Sequence, residues 1–126
     1  MNPTTLAKVL SLISVPIFGS IYTGSFTVND ANKHSVNIGQ KPSSFVLIYC
    51  GDSRGSMVIW DVNADSSKFN FVYVDANLNT GLTGSALLGS AVNGTTFNLT
   101  NTGFEVTYAT YGTYSGGLGT VHYIAL

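Results

Sequence analysis

From Tyr22 onward apolar and polar residues alternate: Tyr22, Gly24, Phe26 and Val28 interleave with Thr23, Ser25, Thr27 and Asn29, then His34, Val36 and Ile38 with Ser35 and Asn37. Successive side chains of a strand point to opposite faces, so this period predicts two half-buried strands. The turn chemistry of Asn29-Asp30-Ala31-Asn32-Lys33 between them predicts a hairpin. After Gly39-Gln40-Lys41-Pro42, Phe45–Cys50 is apolar on both faces, the pattern of a central strand covered on each side. Gly51-Asp52-Ser53-Arg54-Gly55 turns the chain, Met57–Val62 returns as a second apolar run, and Phe69, Phe71 and Tyr73 follow at alternate positions. These three strands are the expected centre of the core.

Residues 76–94 carry Leu78, Leu82, Leu87, Leu88 and Val92 without a regular period, and read as an ordered loop with room for a short strand. Alternation resumes at Phe97 and Leu99, at Phe104, Val106 and Tyr108, and at Val121, Tyr123 and Ala125, with a glycine-rich stretch from Gly112 to Gly119 before the last. About eight short strands with turn signals and no helical period between them predict an all-β fold, an antiparallel sandwich or jelly roll over residues 19–126. Its core should contain Phe26, Val36, Leu47, Ile59, Phe71, Val106 and Tyr123, each in the apolar phase of its strand.

Ahead of the strands the period changes. Asn2 suits a helix N-cap, Pro3 the first helical position, and Leu6, Val9, Leu10 and Ile13 recur at i, i+3, i+4 and i+7, so a short helix is predicted over residues 2–14 with one apolar stripe, stopped by Pro16. The stripe must pack on something, because a helix this short is marginal alone. Residues 1–18 therefore read as a docking or self-assembly segment. A secretory leader fits less well, since no basic residue precedes the apolar stretch and Lys8 sits inside it. The segment is too short to span a bilayer.

Composition narrows the function. Only 9% of the 126 residues are charged, against roughly 25% in ordinary soluble domains, and the net charge is −1. That balance provides no electrostatic grip on phosphate backbones or anionic lipid, so nucleic acid is not an expected partner. Low charge also means little repulsion between copies, as suits a protein that sits beside other subunits. The single cysteine, Cys50, has no partner for a disulfide and reads as a small buried hydrophobe. With 44% hydrophobic residues the core needs neither metal nor cofactor.

Several of these segments resemble a small β domain found in phage tail fibres, head fibres and related virion proteins. The resembling pieces are Tyr22-Thr23-Gly24-Ser25-Phe26-Thr27-Val28, Ile38-Gly39-Gln40-Lys41-Pro42 leading into Phe45–Tyr49, Thr102-Gly103-Phe104-Glu105-Val106, and the ending His122-Tyr123-Ile124-Ala125-Leu126. Together they span nearly everything after residue 20. The resemblance implies a non-enzymatic virion structural protein, made in the host cytoplasm, that assembles as a homo-oligomer, most often a trimer, or on other virion proteins. In that family the domain is usually appended to a longer fibre, whereas here it is nearly the whole chain.

Candidate chemistry is sparse. Asp61-Val62-Asn63-Ala64-Asp65 starts like a calcium loop, but Ser66 stands where glycine is needed and Val72 where a bidentate Glu is needed, so it reads as a polar turn. The glycines from Gly112 to Gly119 precede a strand, not a helix, and read as a hairpin loop rather than a phosphate cradle. Two histidines, one cysteine and six acids are a thin supply for catalysis, and His34 and His122 read as packing or hydrogen-bonding residues. The alternative function is carbohydrate binding, with a host-surface glycan as the ligand: seven tyrosines and Trp60 offer stacking faces, with Tyr111 and Tyr114 on the glycine-rich loop as the ligand-facing pair.

Overall fold

The period-two segments are strands in the computed structural model, which describes Pro3 and residues 20–50, 55–74, 80–92, 94–108 and 119–126. Among the described residues, ten strands run in chain order: β1 (Tyr22–Val28), β2 (His34–Asn37), β3 (Phe45–Cys50), β4 (Gly55–Asp61), β5 (Lys68–Val74), β6 (Thr80–Leu87), β7 (Ala91–Val92), β8 (Thr95–Thr100), β9 (Gly103–Tyr108) and β10 (Gly119–Ala125). One helical turn, α1 (Val62–Asp65), joins β4 to β5. The expected all-β, antiparallel class holds, with ten strands instead of about eight. The N-terminal helix expected over residues 2–14 is not among the described elements, since all of that segment except Pro3 lies outside the described residues.

A six-stranded sheet has the order β1-β10-β3-β4-β5-β6, and a four-stranded sheet the order β2-β9-β8-β7. The first two strands thus pair with the last two, and the rest form two meanders, β3 to β6 and β7 to β9. This corrects the hairpin expected between β1 and β2. Those strands lie in different sheets, β1 against β10 and β2 against β9, so the turn at residues 29–33 carries the chain from one sheet to the other. Asp30 shapes that turn by accepting the Asn32 backbone N–H at 3.0 Å.

The sheets share one core. Val46, Ile48, Val58, Trp60, Phe69 and Phe71 come from the large sheet, and Phe97, Phe104, Val106 and Tyr108 from the small one. Rings meet across the gap: Phe69 and Phe97 have centroids 5.8 Å apart, and Phe104 meets Tyr123 edge-on at 5.4 Å. Trp60 is buried in the core and so is not a stacking face for a ligand, and its indole N–H donates to the Ser66 carbonyl at 3.0 Å, which ties the α1 turn to the core.

Of the expected core residues, Phe71 and Val106 are fully enclosed, while Phe26, Val36 and Tyr123 pack against the cluster from its margin. Leu47 and Ile59 need correction. They pair with each other and with Ile124 on the opposite, outward face of the large sheet, and the core-facing set is Val46, Ile48, Val58 and Trp60. Both strands are apolar at consecutive positions, so neither phase is marked by polarity.

The second correction is β6, the longest strand, lying in a stretch expected to be mainly loop. Gly84 stands opposite Phe71 and Ala86 opposite Phe69, so its inward positions hold small residues where the neighbouring rings take the space.

Candidate docking surfaces

The outward face of the large sheet is built from the second phase of its central strands: His122 and Ile124 on β10, Phe45, Leu47 and Tyr49 on β3, Met57 and Ile59 on β4, and Val72 on β5. An uncovered sheet face leaves such side chains substantially in water. Here Ile124 is 0% exposed and Leu47 and Tyr49 5% each, whereas Thr23 and Ser25 on β1, and Lys68, Asn70, Ser85 and Leu87 on β5 and β6, are exposed. A dry apolar strip therefore runs down the middle of the face, between polar, wet margins. Apolar residues at every position of β3, read in the sequence as a strand covered on both sides, are the signal of this strip.

Tyr49 and His122 form its upper end, stacked with centroids 5.4 Å apart. The Tyr49 hydroxyl is buried and has no hydrogen-bond partner among the described residues. Burial raises this phenol above its ordinary value of 10, because the phenolate would lose its hydration. Since the folded form holds the proton more tightly than the unfolded chain, the associated stability is intact below pH about 10 and declines as pH rises beyond it. Tyr49→Phe should leave stability unchanged or raise it by up to about 1 kcal/mol, since it removes an unpaired buried hydroxyl while keeping the ring. Chemical denaturation of the two proteins checks this; a loss above about 1 kcal/mol would show that the hydroxyl is bonded.

The large sheet also has two free edges, with no further strand paired to β1 or β6 among the described residues. Neither edge strand contains a charged residue or a proline across its seven and eight residues. Beside them lie two exposed large hydrophobics, Ile21 (44%) next to β1 and Leu87 (53%) at the end of β6. The small sheet differs. Its edge strands are only four and two residues long. Lys33 lies 3.5 Å from Glu105 beside β2, and His34 of β2 is 3.1 Å from Asp30.

The sequence candidates for chemistry resolve into local structure. Asp61 caps α1 by accepting the Asn63 N–H at 2.8 Å, and Asp65 accepts both the hydroxyl and the backbone N–H of Ser67. The Ser67 hydroxyl, then its N–H, lower the Asp65 pKa; the Asn32 N–H chiefly lowers that of Asp30, with a smaller contribution from His34. Among the described residues, no group of three or more His, Cys, Asp or Glu side chains could hold a metal ion. His34 stacks on Phe26 at 5.7 Å and His122 on Tyr49, the packing roles read from their strand positions.

No known family, curated protein or solved structure matches the chain. Leu6, Val9, Leu10 and Ile13, proposed from the sequence as a docking stripe, and Tyr111 and Tyr114, proposed as a ligand-facing pair, lie outside the described residues, as does the side chain of Cys50. Among the described residues no helix is long and apolar enough to cross a membrane. The surfaces missed in the sequence are the sheet edges, because edge position depends on the order of strands and leaves no mark within a strand.

Proposed function

We propose that this chain is a non-enzymatic structural module of virion type, a β-sandwich that assembles with copies of itself, a trimer being the favoured state, or with neighbouring virion proteins. One observation carries the reading. An edge strand presents a row of unpaired N–H and C=O groups, and monomeric proteins guard such edges with charge, proline or shortness. The small sheet has those guards, while the large sheet has long, neutral edges flanked by exposed Ile21 and Leu87. The 9% charged content, which leaves little repulsion between copies, and the resemblance of several segments to phage fibre domains support the same reading.

The test is the oligomeric state. Ser25→Lys on β1 and Ser85→Lys on β6 place a charge at exposed positions of the two edges. The wild-type chain should sediment as an oligomer and the double variant as a monomer. Its melting temperature should stay within a few degrees of the wild type, because exposed substitutions usually change stability by less than about 0.5 kcal/mol. A monomeric wild type, or a double variant that assembles unchanged, would overturn the proposal.

A further inference from the structure

The two edges that the described residues leave free on the large sheet are complementary to each other. Neighbouring strands are antiparallel throughout the order β1-β10-β3-β4-β5-β6, so the six strands leave β1 and β6 running in opposite directions. When β6 of one copy lies beside β1 of the next with both cores on the same side, the new pair is therefore antiparallel as well. We propose that copies of this chain join head to tail in this way, β6 against β1, with Leu87 of one copy packed on Ile21 of the next. The join presupposes the self-assembly proposed above and names its two surfaces.

Register selects this pairing. One unbroken row of partners crosses the sheet: Thr23 with Ile124, Ile124 with Leu47, Leu47 with Ile59, Ile59 with Asn70, and Asn70 with Ser85. A second row starts at Gly24, passes through Tyr123, Ile48, Val58 and Phe71, and ends on Gly84. Thr23 and Ser85 are thus level at the two edges. So are Ile21 and Leu87, each two residues further toward the same end and in the same outward phase. These are two of the three exposed large hydrophobics among the described residues, at 44% and 53%. In the extended sheet they become directly opposed cross-strand neighbours, with Cβ atoms about 5 Å apart, and each is drawn out of water. Thr23 then faces Ser85 and Gly24 faces Gly84, and neither edge strand carries a charge to oppose the approach. With fully overlapped strands, pairing β1 with a second β1 sets Ile21 beside Asn29, and pairing β6 with a second β6 sets Leu87 beside Thr80. Only the head-to-tail join brings the two hydrophobics together.

A head-to-tail contact uses a different surface on each side. It therefore closes into a ring, of which a trimer is one, or continues as a filament, and it does not give a two-fold dimer.

The test separates the two edges. Ser25→Lys alone blocks β1 and Ser85→Lys alone blocks β6, both at exposed positions. Each single variant should sediment as a monomer. An equimolar mixture should form a one-to-one dimer that grows no further, through the open β6 of the first and the open β1 of the second. With one variant isotope-labelled at a time, amide shifts on mixing should fall on β6 of Ser25→Lys and on β1 of Ser85→Lys. A single variant that dimerises alone would overturn the head-to-tail join while leaving edge assembly in place, and two variants that show no shifts on mixing would overturn it too. A monomeric wild type, or two single variants that both assemble like the wild type, would instead remove the assembly on which the join rests. In a second arm, Ile21→Asp and Leu87→Lys should each weaken association. Both in one chain should recover it by up to about fivefold, because the new acid of one copy meets the new base of the next. Within one chain those positions are about 24 Å apart, five strand spacings, too far to interact through water at ordinary salt. A double variant no tighter than the weaker single variant would refute the register.

Discussion

Phe104→Ala is expected to cost about 3–5 kcal/mol, the range found when a buried phenylalanine is truncated in a packed core. Phe104 is 0% exposed and sits midway along a chain of rings. Phe69 meets Phe97 at 5.8 Å, Phe97 meets Phe104 at 6.0 Å, Phe104 meets Tyr123 at 5.4 Å, and Tyr123 meets Phe26 at 6.5 Å. The chain starts in the large sheet, passes through two strands of the small sheet and returns, so the missing ring would open a cavity bounded by both sheets. Neither sheet can close it without moving relative to the other. Domains have net stabilities of about 5–15 kcal/mol, so this single change should bring the protein close to unfolding at ordinary temperature. Urea denaturation reads the effect as a lowered midpoint with an unchanged slope. A loss below about 1 kcal/mol would mean that the sheets do not hold this ring tightly.

Gly103→Ala should be comparably damaging for a different reason. Gly103 opens β9 and faces Asn37 of β2. A Cβ at this position would run into the backbone carbonyl oxygen of Val36. A side-chain tip could rotate away, but a carbonyl held in a strand moves only with its strand. The expected cost is at the upper end of the overpacking range, about 3 kcal/mol. Its local signature distinguishes it from Phe104→Ala. Amide hydrogen exchange should accelerate first in β2 and at Ile38, whose N–H donates to the Thr102 carbonyl at 2.8 Å, while β3 and β4 keep their protection. Uniform acceleration across both sheets would contradict the steric account.

The parts of this fold legible from the residues alone are those that local periodicity controls. Alternation in Tyr22–Val28, Phe69–Val74 and Phe104–Tyr108 marks strands because the period of two is a property of the extended backbone itself. The unbroken apolar run Phe45–Cys50 announces a strand covered on both sides, and Val46, Leu47, Ile48 and Tyr49 are all buried. The polar turn at Asp61–Asp65 is equally local, because its side chains bond to backbone groups two residues away.

Everything that depends on which strand lies beside which came from the tertiary structure. Leu47 and Val46 are interchangeable by polarity, and only the position of the small sheet makes one face the core and the other the outward strip. The strand character of Thr80–Leu87 was hidden because its inward residues, Gly84 and Ala86, are small in response to Phe71 and Phe69 on the neighbouring strand. The turn at residues 29–33 has hairpin chemistry, yet β10 inserts between β1 and β3 and β9 takes β2, so pairing across almost the whole chain overrides the local signal. Among the described residues that same insertion makes β1 an edge, since a free edge is defined by the absence of a neighbour and no residue within the strand encodes it.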